Sequence, residues 1–130
     1  RPYIYTTAMP PAVAAASRAS LQLFESEAWR RLQLAERIEQ FRTGAEALGL
    51  ALMPSSTAIQ PIVFGSAEVT LRVAAELKKL GYWVGAIRPP TVPANTSRLR
   101  ITLSAAHSAD QVDGLLKALQ QVMHDQEASR

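Results

Sequence analysis

Apolar residues recur at helical spacing in three stretches of the chain. The first stripe consists of Leu34, Ile38, Phe41, Ala45 and Leu48, the second of Val69, Val73, Leu77 and Leu80, and the third of Val112, Leu115, Leu116, Leu119, Val122 and Met123. Each stripe follows the 3.6-residue period of a helix with one buried face. Ser26 is placed to cap the first of these helices, and Gly49 provides the left-handed residue that ends it. Ser108 and Gln111 have the spacing of a capping box for the last helix.

Three shorter stretches predict strands, at 59–64, 82–87 and 99–104. In the third, apolar Leu99, Ile101 and Leu103 alternate with Arg100, Thr102 and Ser104. Successive side chains of a strand point to opposite faces, so one face is buried and the other is open. Pro61 has no amide donor and therefore places the first strand at a sheet edge. We expect the third strand to lie between the other two, with antiparallel neighbours.

A further helix is expected over 12–25, after Pro10 and Pro11, because proline suits the first helical turn. Its residues are mostly Ala and Ser, and small side chains favour close packing against another element. The resulting order is helix, helix, strand, helix, strand, strand, helix. With the helices on one face of a small, mostly antiparallel sheet, the fold class is α+β, a two-layer sandwich.

Composition excludes several function classes. The chain has 130 residues and a net charge of +3, from 14 basic and 11 acidic side chains. The basic residues form no run and do not alternate with aromatic ones, which argues against a nucleic-acid partner. The absence of cysteine excludes disulfides and thiolate metal sites. No apolar stretch predicts a membrane span, and the cysteine-free composition fits the cytoplasm.

The start of the chain, Arg1-Pro2-Tyr3, has no initiator Met and is followed at once by apolar residues. This start is typical of a segment of a longer protein, and a processed N-terminus is the alternative.

The candidate chemistry is an anion site around Arg100. Its strand follows the proline-rich segment 88–97, which contains Arg88 and Thr91. Prolines restrict the conformations of such a segment, and a guanidinium matches a carboxylate with two hydrogen bonds. The alternative is that Arg100 is an ordinary solvated surface charge. Neither His107 nor His124 has the neighbours of a catalytic triad or a metal site, so no metal is expected.

A family resemblance is carried by the segments RPYIYTTAMPP, AIQPIVFG, YWVGAIRPPTVPANTSRLRITLSAAH and QVDGLLKAL. They resemble the C-terminal region of the α-oxoamine synthases, a family of fold-type I enzymes that depend on pyridoxal 5'-phosphate (PLP). The resemblance runs nearly end to end. It implies that residues 1–26 are the tail end of the large PLP-binding domain with a connecting helix. Residues 27–130 would then be the C-terminal small domain.

The resemblance also implies a function, because the segment IRPPTVP is most similar to the branch of the family that acts in biotin biosynthesis. That branch is expected to be a cytoplasmic, homodimeric C-acyltransferase. It condenses L-alanine with pimeloyl-CoA, or with a pimeloyl carrier protein, and releases carbon dioxide, with PLP as the electron sink. One alternative is a sister enzyme that joins glycine or serine to another acyl-CoA. The other is a stand-alone α+β module that binds a small carboxylate without chemistry.

Individual roles follow from the resemblance by position. Arg100 resembles the arginine that holds the amino-acid carboxylate, and Thr91 the residue that contacts substrate beside it. Arg88 is expected to support the loop or the acyl-thioester end. Thr6 and Thr7 match the turn that reaches the PLP phosphate of the partner subunit.

The expected cofactor-binding lysine of the family is missing from this chain. Its three lysines, Lys78, Lys79 and Lys117, lie on predicted helix faces and match no such motif. No catalytic residue is therefore assigned, PLP is not expected on this chain alone, and the chain alone is expected to be inactive. Asn95 stands where relatives often carry glycine, and Asn tolerates a positive φ better than most residues.

Overall fold

A computed structural model describes residues 7–128 of the chain, with side chains for residues 7–126. Its elements are α1 (Pro11–Ser26), α2 (Trp29–Ala47), β1 (Ile59–Gly65), α3 (Ala67–Lys79), β2 (Gly85–Ile87), β3 (Ser97–Thr102) and α4 (Ala109–Ala128). This is the predicted order. The chain divides into two compact units between Leu32 and Gln33.

The three strands form one sheet in the order β1-β3-β2. β3 pairs antiparallel with both neighbours, so the predicted central position of this strand is confirmed. Arg100 lies opposite Pro61 on one side and Gly85 on the other. A short segment adds to the outer edge of β1, where Leu52 forms an isolated bridge with Ile62. The α+β class is confirmed.

Four strand boundaries differ from the prediction. β1 ends at Gly65 rather than at Phe64, and β3 begins at Ser97 rather than at Leu99. The other two differences are explained by local hydrogen bonds. β2 begins at Gly85 rather than at Tyr82, since the Tyr82 amide donates to the Leu77 carbonyl and closes the end of α3. β3 ends at Thr102 rather than at Ser104. The Ser104 amide instead donates to His107 Nδ1 at 3.1 Å, which forms a turn before α4.

The helix ends confirm two predicted caps and correct a third. Ser108 and Gln111 exchange the two hydrogen bonds of a capping box, at 2.9 and 3.2 Å. Gly49 has the predicted positive φ, +69°. Ser26 does not cap α2, which starts only at Trp29. Ser26 is the last residue of α1, and its hydroxyl donates to the carbonyl of Gln22.

The core of the second unit is built by α2, α3, α4 and one face of the sheet. Its largest fully buried apolar side chains are Phe41, Ile62, Val73, Leu77, Leu99, Ile101, Val112 and Leu119. The predicted stripes therefore face the sheet, with one exception. Leu80 is 41 % exposed because it is the residue that ends α3, and its amide closes the helix on the Glu76 carbonyl. The helices cover one face of the sheet and leave the other open.

The first unit has a different character. No residue of α1 is buried, and its apolar side chains Leu21 and Phe24 are 63 % and 61 % exposed. They belong to a shallow groove of small and apolar residues along this helix. The expected close packing of α1 on another element therefore stays a prediction.

Candidate functional site

Arg100 lies on the open face of the central strand, as predicted. The residues before and after it, Leu99 and Ile101, are 0 % and 2 % exposed and point into the core. Arg100 itself is exposed, because strand side chains alternate between the two faces. Its cross-strand neighbours are Pro61 on β1 and Gly85 on β2. The strand is thus fixed by packing while the guanidinium remains outside.

Gly85 gives the Arg100 side chain room to lie across β2. A Cβ atom built on Gly85 would be 3.6 Å from Arg100 Nε and 3.8 Å from Nη2. These distances are ordinary van der Waals contacts, so the arginine lies directly above the glycine. A larger side chain at this position would compete with the guanidinium for the same space. Glycine is typical of strand positions that another group approaches closely.

The Arg100 guanidinium is free of internal partners. Over the described range 7–126, no hydrogen bond or ion pair involves it. Other arginines of the second unit are engaged: Arg42, for example, donates to the side-chain oxygen of the buried Gln60 at 2.8 Å. A guanidinium has five donors and is always charged. Arg100 is therefore available to hold an external anion.

The 88–96 loop joins β2 to β3 and carries the other two predicted substrate residues. Arg88 and Thr91 are both exposed, and the Thr91 amide donates to the Arg88 carbonyl at 3.0 Å. The peptide bond between Pro89 and Pro90 is cis. Within the described residues, no hydrogen bond joins the side chains of Arg88, Thr91 and Arg100 to one another.

The predicted tolerance of Asn95 for a left-handed turn is confirmed, because its φ is +62°. This residue lies near the C-terminal end of the 88–96 loop. The backbone there follows the path that a glycine would allow, although the side chain is larger.

The predicted phosphate-binding residues lie in the first unit. Thr7 is exposed, and Thr6 is outside the described residues. Lys78, Lys79 and Lys117 are exposed on α3 and α4, and Lys79 is engaged with Glu76 at 2.8 Å. None of these lysines lines the open sheet face.

Both histidines have local roles. His107 Nδ1 accepts the Ser104 amide, as expected for a residue before a helix. His124 is exposed near the end of α4, 4.0 Å from Asp125. No cluster of three or more metal-ligating side chains occurs in the part of the chain that the structure describes. In that same part, no helix is both long and apolar enough to cross a bilayer.

A cavity of about 300 Å³ lies at the other end of β2 and β3, where these strands meet α4. Tyr82, Trp83 and His107 are among its lining residues, and Arg100 is not. Ile101 and Leu103 also line it, together with Thr102 from the open face of β3. The Arg100 guanidinium therefore does not contribute to this cavity.

Comparison with known proteins identifies the family. The family model described as aminotransferase class I and II matches residues 1–119. The chain belongs to this family. Among curated proteins, an 8-amino-7-oxononanoate synthase from Saccharophagus degradans is 59 % identical over 125 residues, which cover 96 % of this chain and 32 % of the relative. The chain thus spans about a third of the length of the curated relatives it matches.

Solved structures share the fold of this aminotransferase-family chain at a lower sequence identity. An 8-amino-7-oxononanoate synthase from Francisella tularensis is 26 % identical with a TM-score of 0.80, covering 96 % of this chain and 36 % of that one. A serine palmitoyltransferase from S. paucimobilis, solved with bound PLP, is 28 % identical with a TM-score of 0.87, covering 96 % and 32 %. The resemblance inferred from the motifs is confirmed.

Sequence reasoning missed two residues beside Arg100. Gly85 lies within the strand predicted at 82–87, and a glycine inside a strand is a signal of close approach. Arg98 was not singled out, although it lies two residues before Arg100 and shares its face. The alternation of the strand, extended back to residue 98, is the available signal for Arg98. Its partner Thr96 is local, whereas its partner Met53 lies 45 residues away and could not be found from the local pattern.

Proposed function

We propose that this chain is the C-terminal region of a PLP-dependent 8-amino-7-oxononanoate synthase of biotin biosynthesis. The enzyme is a cytoplasmic, homodimeric C-acyltransferase whose substrates are L-alanine and pimeloyl-CoA or a pimeloyl carrier protein. The 59 % identity to the S. degradans protein over nearly the whole chain supports this assignment. Residues 1–26 end the large domain, and 27–130 form the small domain.

The observation that carries the proposal is the free Arg100 guanidinium on the open sheet face. It is exposed, unpaired among the described residues, and supported from below by Gly85. A planar guanidinium in this state binds a carboxylate through two parallel hydrogen bonds. We assign it to the carboxylate of L-alanine.

Binding of the carboxylate by Arg100 orients the bond between Cα and the carboxylate, which breaks in the reaction. In the overall reaction the bond between Cα and the carboxylate breaks, a bond from Cα to the acyl carbon forms, and carbon dioxide and the thiol leave. Holding one end of the amino acid reduces the orientations that the reacting atoms sample. Thr91 contacts the substrate beside Arg100, and Arg88 supports the loop or the acyl-thioester end. Thr6 and Thr7 reach the cofactor phosphate of the partner subunit.

The test uses the full-length enzyme that contains this chain. Wild type should turn over L-alanine with pimeloyl-CoA and prefer this pair to glycine with acetyl-CoA. Arg100→Met should raise the KM for L-alanine about a hundredfold, because a charged hydrogen-bonded pair contributes about 1.5 to 3 kcal/mol per bond. The KM for pimeloyl-CoA should change little.

Arg72→Met is the matched control, because Arg72 is an exposed arginine on α3, away from the sheet's open face. It should leave both constants at the wild-type value. A preference for glycine with acetyl-CoA, or an unchanged KM for L-alanine in Arg100→Met, would contradict the proposal.

A second candidate is a sister enzyme that uses serine. The fold match to the serine palmitoyltransferase, with a TM-score of 0.87, favours it. The same turnover assay with L-serine and a long-chain acyl-CoA separates the two candidates. The identity to the 8-amino-7-oxononanoate synthase is 59 %, against 28 % to the serine palmitoyltransferase, so the serine-using enzyme is the second candidate.

A further inference from the structure

Arg98 is a second guanidinium on the open face, two residues before Arg100. Its side chain is half-buried, and each of its three guanidinium nitrogens donates a hydrogen bond. Nε donates to the Thr96 carbonyl at 3.0 Å, and Nη2 donates to the Thr96 hydroxyl at 3.1 Å. Nη1 donates to Met53 Sδ at 2.9 Å. Every acceptor is neutral, so no carboxylate among the described residues compensates the charge of Arg98.

These bonds fix the C-terminal half of the 88–96 loop. The Thr96 hydroxyl, while it accepts from Arg98, donates to the Pro93 carbonyl at 2.8 Å. The Thr96 amide donates to the same carbonyl at 3.3 Å. A continuous chain of hydrogen bonds therefore runs from Arg98 through Thr96 to Pro93. Thr91 lies two residues before this anchored point.

The Met53 residue that accepts from Nη1 of Arg98 lies outside β1. The Met53 amide donates to the Pro61 carbonyl at 3.1 Å, so Met53 lies beyond the outer edge of that strand. The carbonyl of Met53 also accepts from Arg42 at 3.2 Å. Since β1 lies between β3 and Met53, the Arg98 side chain reaches across β1. It thereby ties the loop to the far edge of the sheet.

We propose that Arg98 is a positioning residue for the amino-acid substrate. Its forked guanidinium holds the loop that carries Thr91 beside Arg100, and its uncompensated charge adds to the attraction of the open face for a carboxylate. This inference rests on the proposed role of Arg100. The two contributions are separable, because lysine keeps the charge but loses the fork, whereas methionine keeps the stem and loses the charge.

The experiment measures KM and kcat of the full-length enzyme for L-alanine at low and high salt. Arg98→Lys should raise the KM for L-alanine about tenfold, as expected for the loss of bonds from a charged donor. Arg98→Met should raise it further at low salt and make it less sensitive to salt, because a screened attraction is removed. In both variants the KM for pimeloyl-CoA and kcat should change less than about threefold.

Thr96→Val supplies a variant that leaves the charge of Arg98 in place. It removes only the hydroxyl between Arg98 and Pro93, and it should raise the KM for L-alanine about threefold. If replacing Arg98 prevents folding, the Thr96→Val variant alone tests whether the hydrogen bonds of Arg98 position the loop. The control is again Arg72→Met, which removes an arginine charge from α3 and should leave all constants unchanged.

The outcomes separate this inference from the proposed function. If Arg100→Met raises the KM for L-alanine while the Arg98 and Thr96 variants match Arg72→Met, the positioning role is wrong and the proposed function stands. If the Arg98 variants raise both KM values and lower kcat together, Arg98 is only structural and the inference is overturned. If Arg100→Met has no effect, both fall.

Discussion

The two faces of β3 show how one strand of six residues combines stability with binding. On one face, Ser97, Leu99 and Ile101 are almost completely buried against the helices. On the other face, Arg98, Arg100 and Thr102 look away from the core. Because neighbouring side chains belong to opposite faces, we expect substitutions on the packed face to change stability and substitutions on the open face to change substrate binding. The packed face stabilises the domain, and the open face carries the residues to which we assign substrate binding.

The largest effect, a loss of folding stability, is expected from a substitution on the packed face. Leu99→Ala removes a side chain with no exposed surface at the centre of the sheet. It should lower the free energy of unfolding by about 3 kcal/mol, through lost burial and the cavity left behind. Urea unfolding followed by circular dichroism measures this. A loss below about 1 kcal/mol would mean that the two faces do not differ as described.

An intermediate effect, on the KM for L-alanine, is expected from a substitution of Gly85, which lies beneath the Arg100 guanidinium. Gly85→Val adds a branched side chain where Arg100 lies 3.6 Å from the position of a Cβ atom, so the arginine must move. Stability should be nearly unchanged because valine is favoured in strands. The KM of the full-length enzyme for L-alanine should rise about tenfold, equivalent to about 1.4 kcal/mol.

Gly85→Ala is the matched control for that variant. Its Cβ would make only ordinary contacts, at 3.6 to 3.8 Å from the Arg100 side chain. It should retain the wild-type KM. An equal rise in both variants would show that Gly85 is needed for its backbone rather than for the space above it.

The smallest effect is expected at Thr102, which is exposed at the end of the open face. Thr102→Ala should change the free energy of unfolding by no more than about 0.5 kcal/mol, as is usual for surface positions. The same unfolding measurement tests this, with Leu99→Ala as the reference. A loss comparable to that of Leu99→Ala would remove the distinction between the faces.

Much of this architecture was predictable from local pattern. Alternation in the third strand predicted the buried Leu99 and the exposed Arg100, and the helical stripes predicted Phe41 and Leu119 as core residues. Pro61 predicted an edge strand, which the sheet order confirms. Each of these properties depends on residues close together in the chain, so periodicity and backbone chemistry suffice. The binding roles of Arg88, Thr91 and Arg100 stay predictions.

The sequence by itself thus determined the order of elements, the two faces of the central strand and the place of Arg100 on its open face. Only the tertiary structure decided that Arg100 lies over Gly85 and that Arg98 reaches Met53, 45 residues away. It also decided where the strands end, through the hydrogen bonds of Tyr82 and Ser104. The physical reason is that periodicity is a property of a continuous segment. A partner across the sheet depends instead on strand register and side-chain direction, which exist only after the segments have packed.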